Sequence, residues 1–545
     1  MNFRNHYPIA LFFPLLLLAQ AAPVFSQTVI YVNYAADGAN DGSSWGNAFN
    51  SLHDALSAAE TGDEIWVAKG TYTPAVNGLS SDSTWFLIDK DVRLYGGFAG
   101  TEKVRGARDW ELNPTILSGD LERNDIPGDL ENNREDNALH VLYVTAEVSS
   151  DAVIDGFTIS GGQADATTAP SNEFRTSGGG IYTSGEPELK NLRLMHNYAV
   201  RGGALAASAE GYCLVLQCSF LENGAAEQGG GLYISGDGKA MESEFIRNNA
   251  QEGGGAFITL SSLEIHRTKF SDNTAVNGGA IYSNNSIVQF SNCLITDNSA
   301  AESGSALYNY GGLANPGTLK LVQTTIAGNL PPAPSIYQLA VGPVAPTASI
   351  ETGNSIFANE WNYFAPPSQS TPELISLGGN ISSDESMAGF LTYTGDFNNT
   401  NPGLDESYRA AGAGSYCVDF GLSLAGLPEF DIDGNPRPQG YGYDIGAFES
   451  PYFNPLISGT GFPELDAEMI LAPNPVGGLL QLSVRTGQPR ELWLETFDAK
   501  GQLLGKVRLQ SPTSLDQDWR YKPAGIYYLR LTDGQNALLR KVVKH

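Results

Sequence analysis

The sequence is poor in the residues that most often announce a function. Four cysteines in 545 residues exclude a disulfide-stapled scaffold. There are only six histidines. His6 and His545 sit at the two ends, and His196 and His266 fall at different repeat positions with no paired nucleophile, so histidine-centred chemistry has little to draw on. Basic residues number 31 against 60 acidic ones, a net charge of −29, which opposes nucleic acid as a partner and repels polyanionic glycans unless cations intervene. Residues 466–545 hold 11 of the basic and 8 of the acidic residues, so the whole negative excess lies before them. Charged residues make up only 17% of the chain. Beyond the N-terminus, no apolar run approaches the roughly 20 residues of a membrane-spanning helix, and none is expected in the mature protein.

What is present is glycine, 62 of them, and a repeat. Small-residue tracts running into an aliphatic and usually an aromatic start at Gly178, Gly202, Gly229, Gly253, Gly278 and Gly304, spaced 24, 27, 24, 25 and 26 residues apart. Between them an apolar residue precedes an asparagine by three positions: Phe220 and Asn223, Phe245 and Asn248, Phe270 and Asn273, Ile295 and Asn298. Self-similarity at this period means stacked units that cannot bury their apolar faces alone. Apolar residues alternate over short stretches, as in Leu263-Glu264-Ile265, and Gly, Asn, Asp and Ser divide them. That is strand periodicity, and about 25 residues suffice for three short strands and three turns.

The fold expected is therefore a parallel β-helix, in which equivalent residues of successive coils stack about 4.8 Å apart. One interior column is Leu194, Phe220, Phe245, Phe270 and Ile295; a second is Val215, Ala240, Ile265 and Phe290; a third is Ile181, Leu205, Leu232, Ala256, Ile281 and Leu307. Asn197, Asn223, Asn248, Asn273 and Asn298 form a structural ladder at a turn that tolerates left-handed backbone. Cys218 and Cys293 share a register three coils apart, roughly 14 Å, too far for a disulfide. Weaker coils are expected at Val92–Gly97, Val153–Gly162, Leu319–Asn329, Ile350–Asn359 and Ile375–Ser382.

These Phe-x-x-Asn and Gly-Gly-Ala-Ile halves resemble the repeats of chlamydial polymorphic outer-membrane proteins. More broadly, they resemble the right-handed, pectate-lyase-like parallel β-helix superfamily that includes pectate lyases and adhesins. The resemblance covers roughly residues 150–330. At the N-terminus, Arg4, the apolar Ile9–Ala22 stretch, and Val24 and Ser26 at the −3 and −1 positions read as a signal peptide over residues 1–26. Tyr31-Val32-Asn33 and Gly62 to Tyr72 resemble the entry to secreted β-helices, with a capping helix over Ser51–Ala59. Residues 27–450 are assigned to the β-helix with its cap, 451–465 to a linker, and 466–545 to a small C-terminal β-sandwich of about seven strands.

Pro473-Asn474-Pro475, the Asp498/Gly501 turn, Pro523 to Tyr528 and Arg540 to Lys544 closely resemble the C-terminal sorting domain of type IX secretion substrates. That resemblance implies the type IX machinery as a partner and a place outside the cell, secreted or attached to its surface. Asp431 to Arg437 and Asp444 to Glu449 resemble the last coil of surface β-helix proteins.

Enzymes on such a fold place acids and bases on one outer face. The nearest candidate column is Glu222, Arg247, Asp272 and Asp297, with Arg267 and Lys269 nearby, although charges on a solvated face also stack without catalysis. Tyr182, Tyr233, Phe257, Tyr282 and Tyr308 follow the aliphatic column by one residue. They form either an outward ladder for sugar rings or part of the core. Asp37, Asn40 and Asp41, and Asp431, Asp433 and Asn435, carry oxygen ligands at spacings calcium accepts, and turns that bond their own backbone account for both loops equally. No other cofactor is expected. The function expected is a surface-displayed stalk that binds polysaccharide or cell-surface glycan. The alternatives are a polysaccharide lyase or glycoside hydrolase on an outer face, and a structural coat protein.

Overall fold

The computed structural model describes residues 28–545 apart from 77, 166–172, 209–210, 313–315, 343–346, 368–370, 394, 453, 455–464, 499–502 and 534–535. The expected signal peptide, most of the expected linker and Gly501 lie outside the described residues. Three parallel sheets of twelve, eleven and ten strands wind through residues 29–382 as a β-helix. A regular coil puts Cys213–Leu216 on the first face, Ser219–Leu221 on the second and Leu232–Ile234 on the third. The flanking coils at both ends are present, from Val29–Val32 to Ile381–Ser382.

Coils pair without slippage in the regular region. Phe220 lies opposite Phe245, Phe245 opposite Phe270, and Phe270 opposite Ile295. All four are buried. The rings stack at 4.3 and 4.6 Å with planes within 6° of parallel, so each ring also covers the next. Cys218 and Cys293 are buried in a shared register with Ser243 and Thr268, and burial pushes both thiols up to about 12. Cys213 and Cys417 are buried free thiols as well.

The asparagines form one continuous buried ladder. Asn223 donates its amide to Asn248 Oδ1 at 3.0 Å and to the carbonyl of Leu194 at 3.0 Å, while Asn248 Oδ1 also accepts Asn223 N–H at 3.1 Å. The same set recurs at Asn248, Asn273 and Asn298, then continues to Asn329, Asn359 and Asn362. The left-handed backbone is one residue earlier than the sequence suggested. His196, Glu222, Arg247, Asp272 and Asp297 carry φ between 53° and 59°, and the asparagines do not. An amide aimed inward needs its own residue past the turn, so the strain falls on the residue before it. At the next turn Gly202, Gly229, Gly253 and Gly278 have φ of 61° to 69°, and a Cβ on Gly203 would meet the carbonyl of Gly224 at 2.2 Å. Glycine is required there by both conformation and space.

The helix Leu52–Ala58 buries Leu52, Ala55 and Leu56 against the same core and covers the open end of the stack. At the other end the expected final coil is not a coil. Among the described residues, 383–450 add only an isolated parallel bridge from Phe397 to Ile381 and fold back over the second face, where Ala447 N–H bonds Thr325 Oγ1 at 2.9 Å. Residues 467–544 form two antiparallel sheets of three and four strands around Trp519, Leu480, Leu482, Leu494 and Leu529.

Replacing Asn248 by alanine strands two buried donors of Asn223, each worth about 1–3 kcal/mol. The expected loss in chemical denaturation is about 2–5 kcal/mol, comparable to the roughly 3–5 kcal/mol expected for Phe245→Ala. A loss below about 1 kcal/mol for Asn248→Ala contradicts a ladder that stabilises the stack.

Candidate functional site

The second face is built from strands of three residues: Arg193–Met195, Ser219–Leu221, Glu244–Ile246, Lys269–Ser271 and Leu294–Thr296. The middle residue of each points into the core, so the first and third point out. Two left-handed turns bound these short strands. On one side stand Asn191, Gln217, Glu242 and Arg267, with φ of 48° to 54°. His196, Glu222, Arg247, Asp272 and Asp297 stand on the other. Residues at such turns project outward, and the two rows fence a trough over the face.

The trough consists of a cleft of about 1270 Å³ and a recess of about 610 Å³, which share Gln217 and Ser219. Its floor is the outward column Thr158, Arg193, Ser219, Glu244 and Lys269, paired in register coil by coil. The segment carrying Arg108 and Trp110 walls one end. Arg108 donates to the carbonyl of Gly96 at 3.0 Å and pairs with Asp155 at 2.5 Å; both side chains are nearly buried, and Trp110 stands at the rim. The other wall carries Tyr408, which donates to Asp297 Oδ1, and Arg409, which pairs with Asp433 at 2.6 Å and lies 4.0 Å over the Phe448 ring.

Charge inside the trough differs from the acidic body. Most of its ions are paired: Arg105 with Glu64 at 2.6 Å, Arg108 with Asp155, and Arg267 with Glu242. Glu244 accepts a hydrogen bond from Ser219 at 2.7 Å. Arg193 and Lys269 have no side-chain hydrogen bond or ion pair among the described residues. Two cations without a direct partner therefore lie on the floor, three coils apart, about 14 Å, with the Glu244 carboxylate between them.

The six candidate catalytic residues divide. Arg267, Lys269 and Asp297 line the recess, while Glu222, Arg247 and Asp272 do not. Glu222 accepts from His196 at 2.9 Å and from Arg247 at 2.6 Å, and these partners hold its carboxyl below the usual range. A carboxylate held ionised in this way is a poor proton donor. Asp272 is exposed, and Asp297 is taken by Tyr408. Arg193, Trp110 and Tyr408 were missed from sequence. Arg193 shares the Lys269 register and was open to the same reasoning, but the two wall residues lie outside any repeat.

The aromatic column runs outside the core, on the outer face of the third sheet. Tyr233, Phe257, Tyr282, Tyr308 and then Tyr337 stack at 4.3 to 5.8 Å with interplanar angles of 3° to 26°, and Tyr182 lies against Phe174. Neighbouring rings cover one another's faces, so only edges and hydroxyls meet solvent. The column fits a stabilising ladder better than a platform for sugar rings.

Both oxygen-rich loops spend most of their side-chain oxygens on their own hydrogen bonds. Asn40 Oδ1 accepts Asn50 N–H at 2.8 Å and Asp41 Oδ1 accepts Ser43 N–H at 2.9 Å, while Asp37 is exposed. Asp431 accepts the N–H groups of Asp433, Asn435 and Glu449, and Asp433 pairs with Arg409. Among the described residues no group of three or more His, Cys, Asp or Glu is placed to hold a metal ion.

A family model described as right handed beta helix region matches residues 144–329, less than half of the chain. The regular coils are right-handed. No curated protein matches the sequence. Among solved structures, the chain is similar to that of pectate lyase Pel9A, at 15% identity and a TM-score of 0.43, covering 78% of this chain and 96% of that one. It is also similar to the enzymatically active domain of bacteriophage CBA120 tailspike protein 2, at 9% identity and a TM-score of 0.24, covering 90% and 72%. Likeness at this level says nothing about chemistry.

The segment that forms the second wall is tied by buried charge. Arg437 and Glu449 pair at 2.9 Å with both side chains fully buried. Burial pushes Asp419 up to about 6, and burial together with the Glu449 charge raises Asp444. A carboxyl whose folded value exceeds its unfolded one binds more protons when folded, so its contribution is full at low pH and is lost as pH rises through the folded value. Asp419 alone is expected to make this segment about 1 kcal/mol more stable at pH 5 than at pH 7. Hydrogen exchange over residues 415–450, corrected for intrinsic rates, checks this; weaker protection at pH 5 contradicts it.

Proposed function

We propose that this protein is an exported, surface-displayed β-helix that holds a glycan chain in the trough across its second face and serves as a binding or adhesive stalk. The observation that carries the reading is the pair of unpartnered cations, Arg193 and Lys269, on the floor of a walled trough in an otherwise acidic body. Cations without protein partners are suited to bond charged groups of a ligand, and Trp110 at the rim offers an aromatic face beside them. An anionic glycan, carboxylated or sulfated, fits this chemistry.

Export rests on the signal-like residues 1–26. It rests also on the resemblance of residues 466–545 to type IX sorting domains, with which a module of two antiparallel sheets agrees. On this reading the type IX machinery is the export partner, and the body ends up free or attached outside the cell. The repeat halves resemble those of polymorphic outer-membrane proteins, which supports a surface role.

A second reading, cleavage of the bound chain in the same trough, is favoured by the acids Asp155 and Glu188 lying beside Lys190 and Arg193 in one cleft. A lyase needs a base to take the proton next to the substrate's carboxylate and a cation to neutralise that carboxylate, and Lys190 and Arg193 are residue types that serve these roles.

The full-length chain, incubated with uronate, sulfated and neutral polysaccharides, separates the two readings by calorimetry and the absorbance of unsaturated products. The expected result is binding of anionic glycan without turnover. Arg193→Ala and Lys269→Ala should each weaken it about tenfold, near 1.4 kcal/mol. Turnover of any glycan ends the stalk reading, and binding unaffected by both variants ends the assignment to this trough.

A further inference from the structure

Resting on the glycan reading, we infer that the second wall holds a subsite for a short, uncharged acyl group, acetyl in size, carried by the sugar that lies beside Lys269. The evidence begins with the floor, which continues beneath that wall and changes character there. From Lys269 the outward register runs to Leu294, Thr325, Ile356 and Ile381, one residue per coil. Lys269 is part-exposed, whereas the four beyond it are buried although they point away from the core. Leu404, Ala410 and Tyr452 are among the residues that cover them, packed against Ile356, Ile381, Cys417, Val418 and Ile445.

The cover does not pack solidly. A cavity of about 150 Å³ lies under it, lined by Ile356, Leu404, Ala410, Cys417, Phe448 and Tyr452. This cavity and the recess that contains Lys269 share Tyr408, Arg409 and Phe448, so the two adjoin. Thr325, on the cavity floor, lies two coils from Lys269, about 10 Å. One sugar ring with a substituent spans that distance.

Polar groups around the cavity are already bonded. Thr325 Oγ1 accepts from Ala447 N–H, and the two Asp444 oxygens accept from Asp419 and Ser450 N–H at 2.7 and 2.6 Å. Glu449 accepts from Arg437 at 2.9 Å and from Gln439 N–H at 3.0 Å. Among the described residues, no buried side-chain nitrogen or oxygen that lines the cavity lacks a partner. Burial raises the Cys417 thiol, which keeps it neutral. The surface offered to an occupant is therefore apolar.

Size and polarity then select the occupant. An apolar cavity of this volume holds a group about as large as benzene. A whole sugar ring would leave hydroxyls unpaired inside it, and a carboxylate would leave a charge. A short acyl ester meets both demands, with its methyl end inside and its carbonyl at the mouth. Arg409 stands at that mouth, 4.0 Å over the Phe448 ring and paired with Asp433 at 2.6 Å. Its guanidinium has five N–H donors to share between that carboxylate and a ligand carbonyl. Lys269 thus reads the charge of the sugar, and the cavity reads its acyl group.

Calorimetry of the full-length chain tests this with O-acetylated oligouronates and O-acetylated sulfated oligosaccharides, each set against the same preparation after mild alkaline de-esterification. In the set that binds, the acetylated form is expected to bind about tenfold more tightly. Ala410→Leu, which fills the cavity from its lining, should bring the two forms within about twofold, with folding checked by circular dichroism. On the unaltered chain, hydrogen exchange should show protection at residues 404–410 and 444–450 with the acetylated form alone. Equal affinity for the two forms, absence of that protection, or a preference that survives in folded Ala410→Leu overturns the acyl subsite while leaving glycan binding intact. Failure of every preparation to bind overturns the glycan reading and the subsite together.

Discussion

The rest of the molecule depends on a column of buried amides. A solenoid has no single core contact that fixes the register of every coil, and a strand slipped by one residue turns its apolar side chains outward. Here each asparagine bonds the next through both its side chain and its backbone, and also bonds the carbonyl of an interior residue in the preceding coil. The spacing of successive amides is the coil pitch, so only the correct register satisfies them. Because a buried amide without partners is costly, slippage is penalised at every coil. The ladder keeps its geometry from Asn298 to Asn329 and on to Asn359, where intervals grow to 31 and 30 residues. Extra residues are therefore accommodated in the loops, and the stack stays aligned.

Alignment is what turns ordinary surface residues into a site. Short strands between two left-handed turns leave a narrow face with projecting side chains on both margins. Stacking in register then lines up the floor residues at regular intervals. Most of the charges so collected neutralise one another, as exposed pairs commonly do with little gain in stability. Arg193 and Lys269 are the cations left without a direct partner, and they matter because the surrounding body is acidic. The walls have a different origin: segments outside the repeat that fold back onto the face, one held by Arg108 and Asp155, the other by the buried Arg437–Glu449 pair and an apolar cluster.

Legibility in the sequence followed periodicity. The interior columns through Phe220, Val215 and Ile181, the asparagine ladder and the separation of Cys218 from Cys293 were all readable, because a fixed period fixes neighbours in space. The left-handed position was misplaced by one residue, since the asparagine's preference for such backbone concealed the stronger demand that its amide face inward. Tyr282 and its companions were readable as a column but not as rings stacked face to face, a matter of side-chain rotation that spacing does not encode. The candidate column at Glu222 was found from its regularity, and its neighbours His196 and Arg247 proved to occupy it. Residues 431–449 looked like a last coil because they carry coil-like residues, yet their buried charges pair with one another and hold a wall over the second face. Trp110 and Tyr408 had no repeat to announce them.

The central claim is that register stacking creates one binding face, and that it is the second. Hydrogen exchange of the full-length chain with and without an anionic oligosaccharide at saturation measures this directly. The account predicts added protection in segments 190–195, 217–221, 242–246 and 267–271, and in the walls around Trp110 and Tyr408, with none along the ring column from Tyr233 to Tyr308. Protection centred on that ring column, with the second face unchanged, would contradict it.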